Sequence, residues 1–402
     1  MAKRKDDLTD QLIIPFEEII ENLAIPVNYN FKKLKKVYLP NNPLTDYPLF
    51  LPAKTKAVND SRKRFRHIIE KKNKGALPKI DVDELIYTND DFTIKADMDY
   101  GLPDEFDGQV FDCILMLISK EYVEKSKVFK GYRIDETAIE HEFIKLGFKK
   151  GGSLYNRIKY SLNRMAHTSY VIKNEILKES GEVKYMDIIY RLIDAIYRKG
   201  EKHPDGSEFS NTVILPHSAI LSSIEEKKYH IIANEKRYAL KRYMSKVIYD
   251  KLHLVVYAQI FARTKDIFIA SKSNTLPFLV IDYHKFCRKV GISTLEENKL
   301  RPANIQRQLA EFEKDLLCNK VIHNLEYDKK NTVEKKYNMV FIFTWEFIQS
   351  VFSMANKSMD FQELDKIEPI KVKDYYKKLE IQVRSKKIKK LIKQPTSEQL
   401  QY

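Results

Sequence analysis

The chain has 402 residues, with 71 Lys and Arg against 56 Asp and Glu, a net charge of +15 and a pI near 9.3. That length predicts two or three domains with cores of their own, and a content of 43% apolar and 11% aromatic residues excludes a disordered chain. A mean hydropathy of −0.45, without an apolar run near the roughly 18 residues a span needs, argues against a membrane span, and three scattered cysteines, too few for a disulfide framework, point to the reducing cytoplasm.

Residues 1–94 read as a basic N-terminal extension and connector. MAKRKDDLTD at the start has no apolar run behind it, so no secretory leader is expected. Residues 31–74 hold 13 Lys and Arg against 3 Asp and Glu. Four prolines in 40–53 predict an extended connector, and 59–74 reads as a short, very basic segment, helical or frayed.

Residues 95–225 read as a first domain. Asp107 is expected to cap an amphipathic helix running to about 125, followed by a strand at 129–134. Asp135 caps a second helix that stops at Gly147. The turn 148–152 leads into a third helix, 153–165. Strands at 168–177 and from Val183, around a turn at 179–182, form a hairpin. The loop 199–210, with its Pro-Asp-Gly turn, separates this unit from the next.

Residues 226–352 replay that order. A long helix is expected over 229–251, then a strand at 277–281. Asp282 caps a helix that stops at Gly291, and a further helix follows at 303–317. Strands at 320–327 and 336–344 flank a basic turn. Residues 353–402 are a basic C-terminal tail, in which 366–393 holds 11 Lys and Arg against 3 Asp and Glu. The two basic ends are either solvated tails or arms that grip phosphates.

Helix, strand, helix, helix and hairpin is the plan of a winged helix. The expected fold is therefore α+β, with two tandem winged-helix domains and basic extensions at both ends.

In the first unit's third helix, Leu154, Ile158, Leu162 and Met165 form one apolar stripe. Ser153, Asn156, Tyr160, Asn163 and His167 take the opposite face, flanked by Arg157, Lys159 and Arg164. The equivalent helix of the second unit buries Ile305, Leu309, Phe312 and Leu316. Outward lie Asn304, Arg307, Glu311 and Lys314, with Gln306 and Gln308 on the shoulders and Arg301 just before. Asn, Gln and Arg carry the planar donor and acceptor groups that read base edges in the major groove. Lys149 and Lys150, with the second wing's Lys329, Lys330, Lys335 and Lys336, are placed for phosphates. A polar outer face is also what any amphipathic helix presents; repetition in a second unit favours DNA. Glu311 suits a cytosine amine or a neighbouring Lys.

Catalytic motifs are missing. GFKKGG (147–152) lacks the Lys-Ser/Thr of a phosphate loop and sits between helices. The nine histidines include no HExxH pair. No HxxR is present for tyrosine recombination. The acidic residues Asp81, Asp83, Glu84, Asp90 and Asp91 read as a solvated loop. The three cysteines, Cys113, Cys287 and Cys318, lie on expected helices and read as small buried apolar groups. No catalytic residue, cofactor or metal is expected.

The run YGLPDEFDGQVFDCILMLISKE (100–121), followed by GGSLYNRIKYSLNRMAHTSYVIKNEI (151–176), resembles the first winged-helix domain of plasmid replication initiators of the RepA type. In both, an Asp-centred helix start precedes an apolar helix. Leu162, Met165, Thr168 and Tyr170 match the family's entry into the wing. KRYALKRYMSKVIYDKLH (236–253) is similar to the basic helix that opens its second domain. The resemblance spans about 95–350 and leaves both basic ends outside. It implies a protein that binds direct repeats of double-stranded DNA at a plasmid origin and starts replication. It further implies recruitment of host replication proteins such as helicase or initiator, repression of its own gene, a homodimeric form and no enzymatic activity. A winged-helix transcriptional repressor or partition-type DNA-binding protein without origin function is the alternative.

Overall fold

Alternation of apolar and polar residues sets the first strands. Lys36–Pro40 (β1) departs from strict alternation, with the adjacent Val37 and Tyr38 both buried. Glu84–Asn89 (β2) and Phe92–Asp97 (β3) pair antiparallel, with Phe92, Ile94 and Ala96 inward and Thr93 and Lys95 toward the other face. Phe50, Leu51 and Val58 join the same apolar core. The described part of 1–94 thus contributes sheet and core. The computed structural model describes residues 32, 34–40, 47–52, 58–61, 63, 84–89, 92–97, 99–134, 136–177, 183–202, 208–272, 278–292, 302–331 and 336–355.

Glu105–Lys125 (α1) has no polar face across FDGQVFDCILMLIS, and these residues are buried all round, as in a helix at the centre of its unit. Its first turn is a capping box. Asp104 accepts from the Phe106 N–H at 2.8 Å, and Asp107 accepts from the Asp104 N–H at 2.7 Å. The cap is therefore Asp104, and Asp107, expected at that place, is the inner partner.

Tyr132–Ile134 (β4), Glu136–Lys145 (α2) and Gly152–Ala166 (α3) follow, then the hairpin of Thr168–Leu177 (β5) and Val183–Tyr190 (β6). Gly147, at φ +93°, ends the α2 segment. The expected cap Asp135 and the turn 179–182 lie outside the described residues. Ile193–Tyr197 (β7), Thr212–Pro216 (β8) and Ser218–Glu225 (α4) complete the unit.

The single helix expected over 229–251 is instead a strand and parts of two helices. Tyr229–Ala233 (β9) alternates in burial and pairs antiparallel with β1. Its aromatic and β-branched residues suit that pleat better than a helix. Asn234–Ala239 (α5) and Tyr243–Lys272 (α6) are separated at Leu240, whose ψ of 126° is extended. The second unit continues with Phe278–Asp282 (β10), Tyr283–Val290 (α7), Pro302–Cys318 (α8), Ile322–Asn331 (β11), Lys336–Phe343 (β12) and Trp345–Ala355 (α9). Asp282 caps α7 by accepting from the Lys285 N–H at 3.0 Å, and Gly291 ends it at φ +73°.

The result is α+β, and the two units share their element order but not their strand pairing. In the second unit the short strand joins the hairpin directly, in the order β10-β12-β11. In the first, β8 stands between β4 and β7, and the hairpin extends a separate sheet, β2-β3-β5-β6. Buried apolar residues form two clusters, one from Val37 to Ile224 and one from Ile232 to Val351. No helix among the described residues is long and apolar enough to cross a membrane.

Candidate nucleic-acid interface

The spacing of its apolar residues lays α3 on the first core. Leu154, Ile158, Leu162 and Met165 are each at most 5% exposed, so the opposite face is free to meet solvent. Ser153, Asn156, Arg157 and Tyr160 are exposed on it, and Lys149 and Lys150 are exposed in the turn before it. The turn is anchored where the Gly151 N–H donates to Glu140 Oε1 at 3.2 Å, which ties the start of α3 to α2. A helix N-terminus carries unpaired N–H groups and a partial positive charge, and both favour an anion.

Two side chains on this helix are held in place by rings. The Arg157 guanidinium lies 3.9 Å from the centre of the Phe106 ring. Lys159 is half-buried, with its ammonium 4.6 Å from the Tyr155 ring. Such contacts fix a long cation without neutralising it.

Arg164 and Asn163 are placed differently from the expectation. Arg164 turns inward: its Nη1 meets both oxygens of Asp107 at 2.8 and 2.7 Å, and its Nε donates to the Tyr100 carbonyl at 2.6 Å. Burial pushes the Asp107 carboxyl up, to about 6, while the guanidinium pulls the other way. Arg164 is thus committed to a carboxylate that no water reaches, and it leaves the outer face. Asn163 is half-buried, and its Oδ1 accepts from Arg198 Nη2. His167 ends the helix with its ring stacked 4.6 Å from that of Tyr100.

The second unit repeats the stripe. Leu309, Phe312 and Leu316 are buried against the second core. Asn304, Gln306, Arg307 and Gln308 occupy the N-terminal part of α8; their side chains, and that of Ile305, lie outside the described residues. Arg301 and Lys335 are also outside them. Lys314 is exposed. Glu311 pairs with Arg242 Nη1 at 2.6 Å, a protein cation rather than a base. Lys329 and Lys330 lie on β11, and Lys336 opens β12 opposite Asn331, so all three belong to the far end of this hairpin.

Sequence reasoning missed the ionic cluster behind these helices. Asp112 on α1 meets Arg237 Nη1 at 2.5 Å and Lys246 Nζ at 2.8 Å, all three buried. The signal was an aspartate in the middle of an apolar helix, which burial permits only with cations beside it. Cys113 and Cys287 are buried as expected, whereas Cys318, the last residue of α8, is exposed.

No protein-family model and no curated protein sequence matches the chain. Among solved structures it is similar to a selenomethionine derivative of domains 2 and 3 of RctB, at 11% identity and a TM-score of 0.37, over 66% of this chain and 93% of that one. A second structure of RctB domains 2–3 gives 12% and 0.35, over 66% and 92%. The Pi initiator protein in complex with iteron DNA gives 13% and 0.31, over 60% and 95%. These values do not place the chain in a family.

Proposed function

We propose that the chain binds double-stranded DNA sequence-specifically, with α3 and α8 as reading helices of two winged-helix domains, 95–225 and 226–352. One observation carries this reading. The outer face of α3 presents Ser153, Asn156 and Tyr160 to solvent, beside exposed Lys149 and Lys150, while its other side is sealed into the core. A helix so mounted has the dimensions and the donor–acceptor groups that the major groove admits. The split of the apolar residues into two clusters near residue 225 supports the boundary there, while the first cluster reaches back to Val37, ahead of the expected start at 95.

Asn156, Tyr160 and Ser153 would meet base edges, with Arg157 and Lys159 at the groove wall and Lys149 and Lys150 on phosphates. In the second unit, Asn304, Gln306, Arg307 and Gln308 take the base-reading role. Lys314, Lys329, Lys330, Lys336, Arg301 and Lys335 take the backbone. The resemblance to RepA-type initiators extends the reading to direct repeats at a plasmid origin, with replication initiation as the outcome. Autorepression, a homodimer and host helicase or initiator as partners belong to the same reading, as does the lack of enzymatic activity.

Selection of a random duplex library on the full chain tests the proposal. A recurring motif is expected, and footprinting should show it repeated in the same orientation at the origin of the element that encodes the chain. Recovery of no motif would overturn sequence-specific binding. A single palindrome at the gene's own promoter would favour a repressor.

A further inference from the structure

We propose that a run of ion pairs and hydrogen bonds, buried or partly buried from α3 through α1 to α5 and α6 and solvent-exposed where it reaches α8, fixes the distance and phase between α3 and α8, so that the DNA site has one permitted internal spacing. The consequence for DNA rests on the reading above; the fixed geometry rests on the contacts themselves.

The run has three links. Arg164 ties α3 to α1 through Asp107. Asp112, further along α1, then meets Arg237 of α5 and Lys246 of α6, with both cations only 3% exposed. Arg237 spends the rest of its fork on Asp250 of α6, from Nε at 2.8 Å and Nη2 at 3.0 Å. The third link reaches α8. Asp315 accepts from the Lys241 and Arg242 N–H groups at 3.1 and 3.3 Å, and Glu311 pairs with Arg242. The helices α1 and α6 also meet without a gap. A Cβ on Gly108 would stand 2.3 Å from Tyr243 Cε1, so any other residue there would have to displace the Tyr243 ring.

Two domains on a flexible tether would show none of this. The passage between the units is instead a paired strand, β9, and the short helix α5. Burial alone would raise the Asp112 carboxyl, yet Arg237 and Lys246 together hold it below its usual range. Removing one partner from such a cluster strands a charge in the interior, so a single substitution there reads out the coupling. The reading helices therefore move as one body, and a duplex must present its two contacted segments at matching separation and rotation.

The experiment has two arms. Spin labels at Tyr160→Cys and Lys314→Cys, in a Cys318→Ser background, report the α3–α8 distance by pulsed electron resonance without DNA. A single narrow distribution is expected, and Asp112→Ala should broaden it. A broad distribution in the parent, or an unchanged one in Asp112→Ala, overturns the proposal. Should Asp112→Ala not fold, Asp112→Asn serves in its place, since it keeps the shape and removes the charge that joins the two cations, and the same two outcomes apply.

In the second arm, the selected duplex is lengthened by about five base pairs, half a helical turn, between its two contacted segments. The parent should lose about 100-fold in affinity or more. A loss below about threefold overturns fixed spacing. If no sequence can be selected, the DNA reading fails, and the spin-label distances still decide the rigid coupling.

Discussion

His230 and His253 face each other in the second core, with Nε2 of the first 2.8 Å from Nδ1 of the second. One comes from β9 and the other from α6, and both side chains are buried. Burial lowers both: His230 is held at about 4, and His253 lies well below its usual value, helped by its neighbour. The pair is therefore neutral when folded. In the unfolded chain each imidazole takes a proton near pH 6.5.

Acid should then destabilise the fold through this pair. The unfolded state binds more protons between about pH 6.5 and 4, so stability is full above 6.5 and falls as pH drops toward 4. His230 alone accounts for about 3 kcal/mol at the low end. Thermal melts at pH 7.5, 6 and 5 should show a steep decline, and His230→Phe should flatten it. The same slope in that variant would mean that other groups govern the acid transition.

Arg164→Ala should behave as a stability mutation. It leaves Asp107 uncompensated in the core, at a cost of about 3–5 kcal/mol. Denaturant unfolding should show the loss, and Arg164→Met with Asp107→Leu should recover much of it. Normal stability with weakened DNA binding would return Arg164 to the outer face.

Asn156→Ala and Arg307→Ala should leave the melting temperature unchanged and relax base preference, each by about 1–3 kcal/mol at the bases they meet. Binding to selected duplexes carrying single base changes is the measurement. Uniform weakening on every sequence would assign them to the phosphate backbone instead.

Lys149→Ala with Lys150→Ala should lower affinity on all duplexes alike. Two lost phosphate contacts reduce the slope of log affinity against log salt by about 2. An unchanged slope would place the turn before α3 away from the DNA.

The local elements were legible because their signals are local. Asp282 and Gly291 bracket α7 as their spacing predicts, and the stripe from Leu154 to Met165 sits in the core. What failed was the long-range part. Tyr229–Ala233 carries both helical and strand patterns, and its strand state is decided by β1, nearly two hundred residues away. Arg164 looked like a surface cation because nothing nearby in the sequence marks Asp107 as its partner, 57 positions earlier. Asp104 and Asp107 both suit the cap by residue type, and the structure uses both, Asp104 as the cap and Asp107 as its reciprocal partner. On α3, inward contacts take Arg164 off the polar face and engage Asn163.

The most direct test of the central claim is competition binding by the full chain at physiological salt. A selected duplex is measured against a scrambled duplex of the same length and composition. Binding to the selected duplex is expected to be at least about 10³-fold tighter, a preference lost in the double variant Asn156→Ala with Arg307→Ala. Equal affinity for both duplexes, tracking salt alone, would contradict it.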